Sequence, residues 1–333
     1  MVRFRSRYGI QQPSFAWDVP PEGLFPTLLS IAQVADANGY DSFWLMDHFH
    51  QIPQVAPIAS PLPEAWTTMG ALASATPHIR LGTLVSGTPY RNPALLAKMG
   101  ATLDVVSGGR LFMGIGAGWY EAEFHAYGWP FPPRQERALR LAEAVQVLLA
   151  MWTQERATFQ GRFYRVKDAL CEPKPLQKPS PPILIGGGGE QVTLRLVARY
   201  ATACNLFGDP STIRHKLEVL ARHCEAIGRD PSTVLKTRLG GLIIAPTEAQ
   251  VARTAQRLGR PVDYASWNPI MGTPAQVVER CARLLEVGLD YLIFSFPDAP
   301  SPEGVALFAR EVAPALGLNR PLAIPWPPEA YHT

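Results

Sequence analysis

Short apolar runs alternate along this chain with longer segments whose apolar residues recur at helical spacing, and the alternation repeats eight times. The runs predict strands near residues 7–12, 42–48, 80–86, 110–116, 182–185, 203–207, 235–245 and 291–296. Between them the spacing predicts helices, the first over about 24–38 with Leu28, Ile31, Ala32 and Ala35 on one face and Gly39 as its stop. Others are expected near 63–75, 93–106, 134–152, 191–200, 210–227, 274–287 and 302–316, the fifth starting close to Glu190. Several strand runs are apolar throughout, as parallel strands covered on both faces require. The fold class that follows is α/β, a (β/α)8 barrel of one domain over residues 1–333, with inserted loops. Two segments depart from the rhythm. Residues 119–133 are rich in aromatics and prolines and read as an active-site loop, and 157–166 alternate around Gln160-Gly161 as an inserted β-hairpin after the fourth helix.

Composition narrows the function classes. With 47% hydrophobic and 18% charged residues the chain can build a large core. The formal charge of +3 is small and the arginines are scattered, so a nucleic-acid partner is not expected. Cys171, Cys204, Cys224 and Cys281 lack CxxC spacing, which argues against a zinc ribbon or a redox dithiol. The basic start Met1 to Arg7 leads into a strand rather than a signal-peptide core, and no uncharged apolar run approaches the roughly 18 residues of a membrane span. A soluble, cytoplasmic protein is therefore expected.

In such a barrel the strand C-termini form the catalytic face. Asp47-His48 ends the second strand there, and because an imidazole titrates near neutrality His48 is the stronger candidate for proton transfer. A histidine merely satisfied at a strand end is the bland alternative. His48 and His50 also have a spacing that can place two imidazoles on one metal, but only Asp298 offers a further ligand at a strand end, so a metal site is not expected. Gly186-Gly187-Gly188-Gly189 lies between the fifth strand and a helix, where unhindered amides and the helix N-terminus suit a phosphate, although a tight turn would use glycine too. Gly114-Ile115-Gly116-Ala117-Gly118 permits close approach of a flat ring but lacks dinucleotide-fold spacing. Trp119, Tyr120, Phe207 and Phe296 would give the mouth aromatic walls.

The combination of Trp44-Leu45-Met46-Asp47-His48-Phe49, Tyr90-Arg91-Asn92-Pro93, Ser107-Gly108-Gly109-Arg110, the run from Gly114 through Phe124, Phe159-Gln160-Gly161-Arg162-Phe163-Tyr164 and the Gly186 tetrad resembles the bacterial luciferase-like superfamily, in its coenzyme F420-dependent branch. The resemblance covers nearly the whole chain. It implies a barrel, usually a homodimer, that holds F420 or, alternatively, FMN, with the cofactor phosphate at the glycine turn. It implies a non-proline cis peptide near Leu84-Val85 behind the ring. By the same resemblance His48 and Asp47 are the catalytic residues, and Asp47, Leu84, Val85, Ser86, Ala117, Gly118, Glu121, Gly186, Gly187, Gly188 and Gly189 contact the cofactor. Relatives that oxidise a sugar phosphate carry a carboxylate directly after the strand-four glycines, where this chain has Trp119, with Glu121 and Glu123 later. An apolar or conjugated small-molecule substrate is expected instead. Two chemistries remain: hydride transfer with F420, or an FMN-dependent monooxygenase that uses O2 and reduced flavin from a separate reductase. A barrel that binds a ligand without turnover is the third class.

Overall fold

Eight parallel strands close on themselves in the computed structural model, which describes residues 1–258 and 269–325. They are β1 Tyr8–Gln12, β2 Ser42–Leu45, β3 Arg80–Thr83, β4 Met113–Gly116, β5 Ile183–Gly186, β6 Ala203–Leu206, β7 Leu235–Ile244 and β8 Tyr291–Ser295. Each pairs with the next in chain order, and β8 returns to β1 with Leu292 opposite Tyr8. The seam between β3 and β4 is thin: Leu81 bridges Leu111, and above it the short strand Ser86–Gly87 takes over the pairing with β4. The run predicted as one strand over 80–86 is thus broken in two, and the Leu84-Val85 peptide between the pieces is cis.

Helices alternate with the strands: α1 Pro21–Ala37, α2 Ala65–Ala75, α3 Pro93–Val106, α4 Arg134–Thr153, α5 Thr193–Tyr200, α6 Pro210–Glu225, α7 Pro274–Glu286 and α8 Glu303–Leu307, the last continued by Phe308–Val312 and Ala313–Ala315. Proline opens α1, α3, α6 and α7, where its missing N–H is no loss, and Asn92 and Asp209 accept hydrogen bonds from the amides of Ala94 and Thr212 at the starts of α3 and α6. The helix expected near Glu190 begins only at Thr193, because the glycine turn runs on further than its four residues. Helix Glu248–Arg257 and strand Ile270–Gly272, which extends the sheet beside β7, were not legible in the pattern. The hairpin is present outside the barrel as Ala157–Gln160 against Arg165–Ala169. Its turn is fixed to α4 by the Glu143 carboxylate, which accepts from the amides of Arg162, Phe163 and Tyr164 at 2.8, 2.9 and 3.0 Å.

Period-two alternation divides the core into two layers. Phe43 and Leu45, Ile183 and Ile185, and Leu292 and Phe294 face the helices, whereas Trp44, Leu184 and Ile293 fill the barrel interior. The Trp44 indole takes most of one interior level, and glycines opposite make room for it: a Cβ on Gly82 would stand 2.6 Å from the indole, and one on Gly114 would stand 1.9 Å from the Thr83 carbonyl. Its Nε1 donates to Ser42 Oγ at 2.6 Å, so the buried N–H is satisfied. At the N-terminal pole Val2–Phe4 pairs antiparallel with Leu322–Ile324, and Phe4 seals the interior against Phe112 and Tyr291. The barrel is therefore filled from below and left free at the strand C-termini. All four cysteines are buried and unpaired. Among the described residues no helix is long and apolar enough to cross a membrane.

The same substitution should act with opposite signs at two glycines. Gly114→Ala has no room against the backbone of β3 and is expected to cost about 2–3 kcal/mol. Gly70→Ala, inside α2 with nothing within 4 Å of the added carbon, should stabilise by about 0.5–1 kcal/mol through helix propensity and chain entropy. Opposite shifts of the thermal midpoint relative to the parent protein are the expected readout.

Candidate active site

A cavity of about 520 Å³ opens at the C-terminal ends of the strands. Asp47, His48, Leu84, Val85, Ala117, Gly118 and all four residues of the Gly186–Gly189 turn line it, so most residues singled out from sequence come together around one space. Ser86 and Glu121 do not line it. Phe296, expected as an aromatic wall, is buried in the core beside Tyr40 and Phe294. Trp119 and Phe207 do line the cavity and are 52% and 40% exposed, standing at its rim. Tyr120 packs edge-on against His48 and His50.

Asp47 and His48 enter two different networks, as neighbours at a strand end must. The buried Asp47 carboxylate receives Arg91 in a fork, Nη1 to Oδ2 at 2.6 Å and Nη2 to Oδ1 at 3.0 Å, and the Ser86 hydroxyl donates to Oδ2 at 2.5 Å. Arg91 also reaches Glu64 at 2.6 Å. Burial raises the Asp47 carboxyl above its ordinary range, and the Arg91 guanidinium opposes that shift. A bidentate, charge-assisted pair of this kind fixes orientation as well as charge. Ser86 thus serves Asp47 rather than the cavity, and it accepts from Trp66 Nε1 at 3.1 Å on its other side.

His48 Nδ1 lies 3.0 Å from Oε2 of Glu123, a residue whose side chain is fully buried. Tyr90 donates its hydroxyl to the same oxygen, while Oε1 accepts from the amides of Phe49 at 2.5 Å and His50 at 3.3 Å. Burial alone would raise the Glu123 carboxyl, but the bonds from His48, Tyr90 and Phe49 hold it below its ordinary range. An ionised carboxylate only accepts, so Nδ1 carries hydrogen and Nε2 is left to exchange a proton with a group in the cavity. Tyr90 is correspondingly raised by burial and by the neighbouring carboxylate, and it stays a donor.

Glu121 stands outside the cavity wall. It stands 61% exposed on the short helix Glu121–Ala126, 4.0 Å from His125, whereas Glu123, two residues on, turns inward. Helical geometry separates such a pair by about 200°, and Phe124 beside it anchors the inward face by stacking on Tyr90 at 4.9 Å. The aromatic loop itself is a packed cluster of Phe49, Tyr90, Phe124, Tyr127 and Trp129. Missed from sequence were Glu123 in its anchoring role, Arg91, Tyr90 and Arg134. The Tyr-Arg-Asn-Pro run was visible as a motif, but only the fold shows that Tyr90 and Arg91 face His48 and Asp47.

Val85 forms the cavity wall between two glycines. A Cβ on Gly116 would approach its side chain to 2.7 Å and one on Gly186 to 2.9 Å, so these two cavity-lining glycines also make space for Val85. The Leu84 carbonyl accepts from Gln11 Nε2 at 3.1 Å, which pins this segment to β1. The part of the turn that could hold an anion is Gly187 to Gly189. Gly187 has φ +122°, a conformation L side chains rarely adopt. Its amide donates to the Asn205 carbonyl at 3.3 Å, while among the described residues the amides of Gly188 and Gly189 have no acceptor. α5 starts just beyond without a side-chain cap; its Leu194 amide donates to the Gly189 carbonyl at 2.9 Å, and the helix N-terminus adds to the positive end. Exposed Arg134, at the start of α4, lines the same cavity. These features fit a flat ring on Val85 and a phosphate on the turn. No group of three metal-ligating side chains occurs among the described residues: His50 Nδ1 meets the Gln51 carbonyl at 3.1 Å, and Asp298 lines another cavity.

Glu123 gives a signed pH dependence. Its folded pKa is depressed, so its stabilisation is complete above the unfolded value of about 4.3 and is lost as pH falls through the folded pKa. Glu123→Gln should melt below the parent at neutral pH, and the gap should close on acidification below about pH 4, measured by thermal unfolding across that range.

Residues 10–276 match the family described as luciferase-like monooxygenase. An F420-dependent glucose-6-phosphate dehydrogenase of Microbacterium testaceum (strain StLB037) is 30% identical over 319 residues, covering 87% of this chain and 93% of its own. An FMNH(2)-dependent dimethylsulfone monooxygenase of Pseudomonas putida is 30% identical over 286 residues, covering 75% and 78%. The solved structure of monooxygenase RslO1 from Streptomyces bottropensis has the same fold, with a TM-score of 0.80 at 20% identity over 92% of this chain and 99% of that one.

Proposed function

As the chain belongs to the luciferase-like monooxygenase family, we propose that it is an F420-dependent oxidoreductase that moves a hydride between the deazaflavin and a small apolar or conjugated substrate. The observation that carries this reading is the shared cavity: an imidazole oriented by a buried carboxylate and a glycine turn with unengaged amides open on one space. The deazaflavin supplies the hydride chemistry when bound, and the protein supplies placement, shielding and the proton. Gly187 to Gly189 and the α5 N-terminus would hold its phosphate, with Arg134 adding charge, and Val85 would bear the ring.

Each remaining task falls to a named side chain. Glu123 keeps His48 in one tautomer and one orientation, so that Nε2 gives or takes the proton that accompanies the hydride. Asp47 is held by Arg91 and Ser86 as a fixed acceptor at the cavity wall. Trp119 and Phe207 present apolar faces at the rim, which suits a flat, weakly polar substrate better than a sugar phosphate. The relative named as a glucose-6-phosphate dehydrogenase therefore informs the cofactor more than the substrate.

The FMN-dependent relative at the same identity favours a second reading, a monooxygenase that uses O2 and depends on a reductase partner for reduced FMN. Titration of the apo-protein with F420 and with FMN, followed by cofactor fluorescence, separates the two. Selective binding of F420 is expected, and selective binding of FMN would replace the hydride-transfer reading with the oxygenase one. His48→Ala should leave F420 affinity intact and lower the rate of acceptor reduction by about a hundredfold or more. An unchanged rate would remove His48 from the chemistry.

A further inference from the structure

The lip of the glycine turn carries a cluster that the reading above does not use. Glu190 follows Gly189 directly, and its carboxylate oxygen Oε1 is held by two residues of α6, Lys216 Nζ at 2.5 Å and His215 Nε2 at 3.0 Å. His223, also on α6, donates or accepts at the Glu190 carbonyl at 2.8 Å; since a carbonyl only accepts, Nε2 of His223 is the donor. The Lys216 stem runs beside the cradle: a Cβ on Gly188 would lie 3.6 Å from its Cε. Gly188 lines the cavity, so Lys216 borders the turn at the cavity's edge.

The charge arithmetic at this lip is informative. Glu190 is a carboxylate placed beside the glycine turn, where it takes the Lys216 ammonium and a His215 ring nitrogen that a bound anion would want. Exposed ion pairs of this sort are weak, so exchange of one carboxylate for another costs little. Lys216 stands against the outer side of the turn, next to the amides of Gly188 and Gly189.

We propose that Lys216 and His215 form a subsite for a second anionic group of the cofactor, one attached beyond the phosphate held by the turn, and that Glu190 occupies this subsite until that group displaces it. The inference rests on the F420 reading, because F420 continues past its phosphate as an anionic tail whereas FMN ends there. Lys216 is thus a specificity-determining residue that distinguishes the two cofactors by what lies beyond the phosphate.

The test is fluorescence titration of the apo-protein with F420, with F420 from which the tail carboxylates have been removed, and with FMN, for the parent, Lys216→Gln and Glu190→Gln proteins. Lys216→Gln should weaken F420 by about tenfold, the loss of one charge-assisted contact, and leave tail-truncated F420 and FMN unchanged. Glu190→Gln should tighten F420 alone, and the F420 advantage should shrink as salt is raised. Equal weakening of all three ligands by Lys216→Gln would mean that Lys216 sees only the turn phosphate and would overturn the subsite, as would no change in any. Preference of the parent protein for FMN would overturn the cofactor reading itself, and the subsite with it. Circular dichroism of each variant confirms that the fold is retained.

Discussion

One buried carboxylate organises the mouth of this barrel. Glu123 comes from the loop after β4, yet it accepts from the amides of Phe49 and His50 after β2, from the Tyr90 hydroxyl after β3, and from the His48 ring. Burying an ion without partners is costly, and four donors are what make this one stable. The price of removing any loop from the arrangement is an unsatisfied charge, so three loops that could move separately behave as one floor beneath the cavity.

That floor explains how a generic scaffold acquires a specific site. The strands bring His48 and the glycine turn to the same face by topology alone, but topology does not choose a tautomer or a ring orientation. The loop carboxylate does both, while the Arg91 fork does the equivalent for Asp47. Val85, lodged between Gly116 and Gly186, sets the depth of the cavity from the opposite side. Placement is thus divided between a rigid interior packed around Trp44 and a set of charges tied together above it.

Much of this architecture was legible in the residues. The eight strand runs and their helices follow from periodicity, because parallel strands buried on both faces leave continuous apolar segments. Asp47-His48 and the glycine tetrad stood out because strand ends are where a barrel does chemistry. Less legible were features decided by contacts between distant segments. Gly116 and Gly186 line the cavity and also accommodate Val85, a contact that only the fold reveals. Glu121 and Glu123 were indistinguishable as letters, since the choice between them depends on which face of a six-residue helix meets Tyr90. The partition of Ser86 to Asp47 likewise needed the broken third strand to be seen.

The ion pairs at the mouth join adjacent residues to adjacent residues: Asp47-His48 after β2 meets Arg91 and Tyr90 after β3, Asp47 with Arg91 and His48 near Tyr90 at 3.4 Å through its ring nitrogen. A dipeptide matched to a dipeptide has a phase. Shifting either segment by one residue would set Asp47 against the Tyr90 phenol or His48 against the Arg91 guanidinium, and in either case both pairings would be lost together. The relative lengths of these two segments are therefore tied to each other by side-chain chemistry rather than by the barrel beneath them.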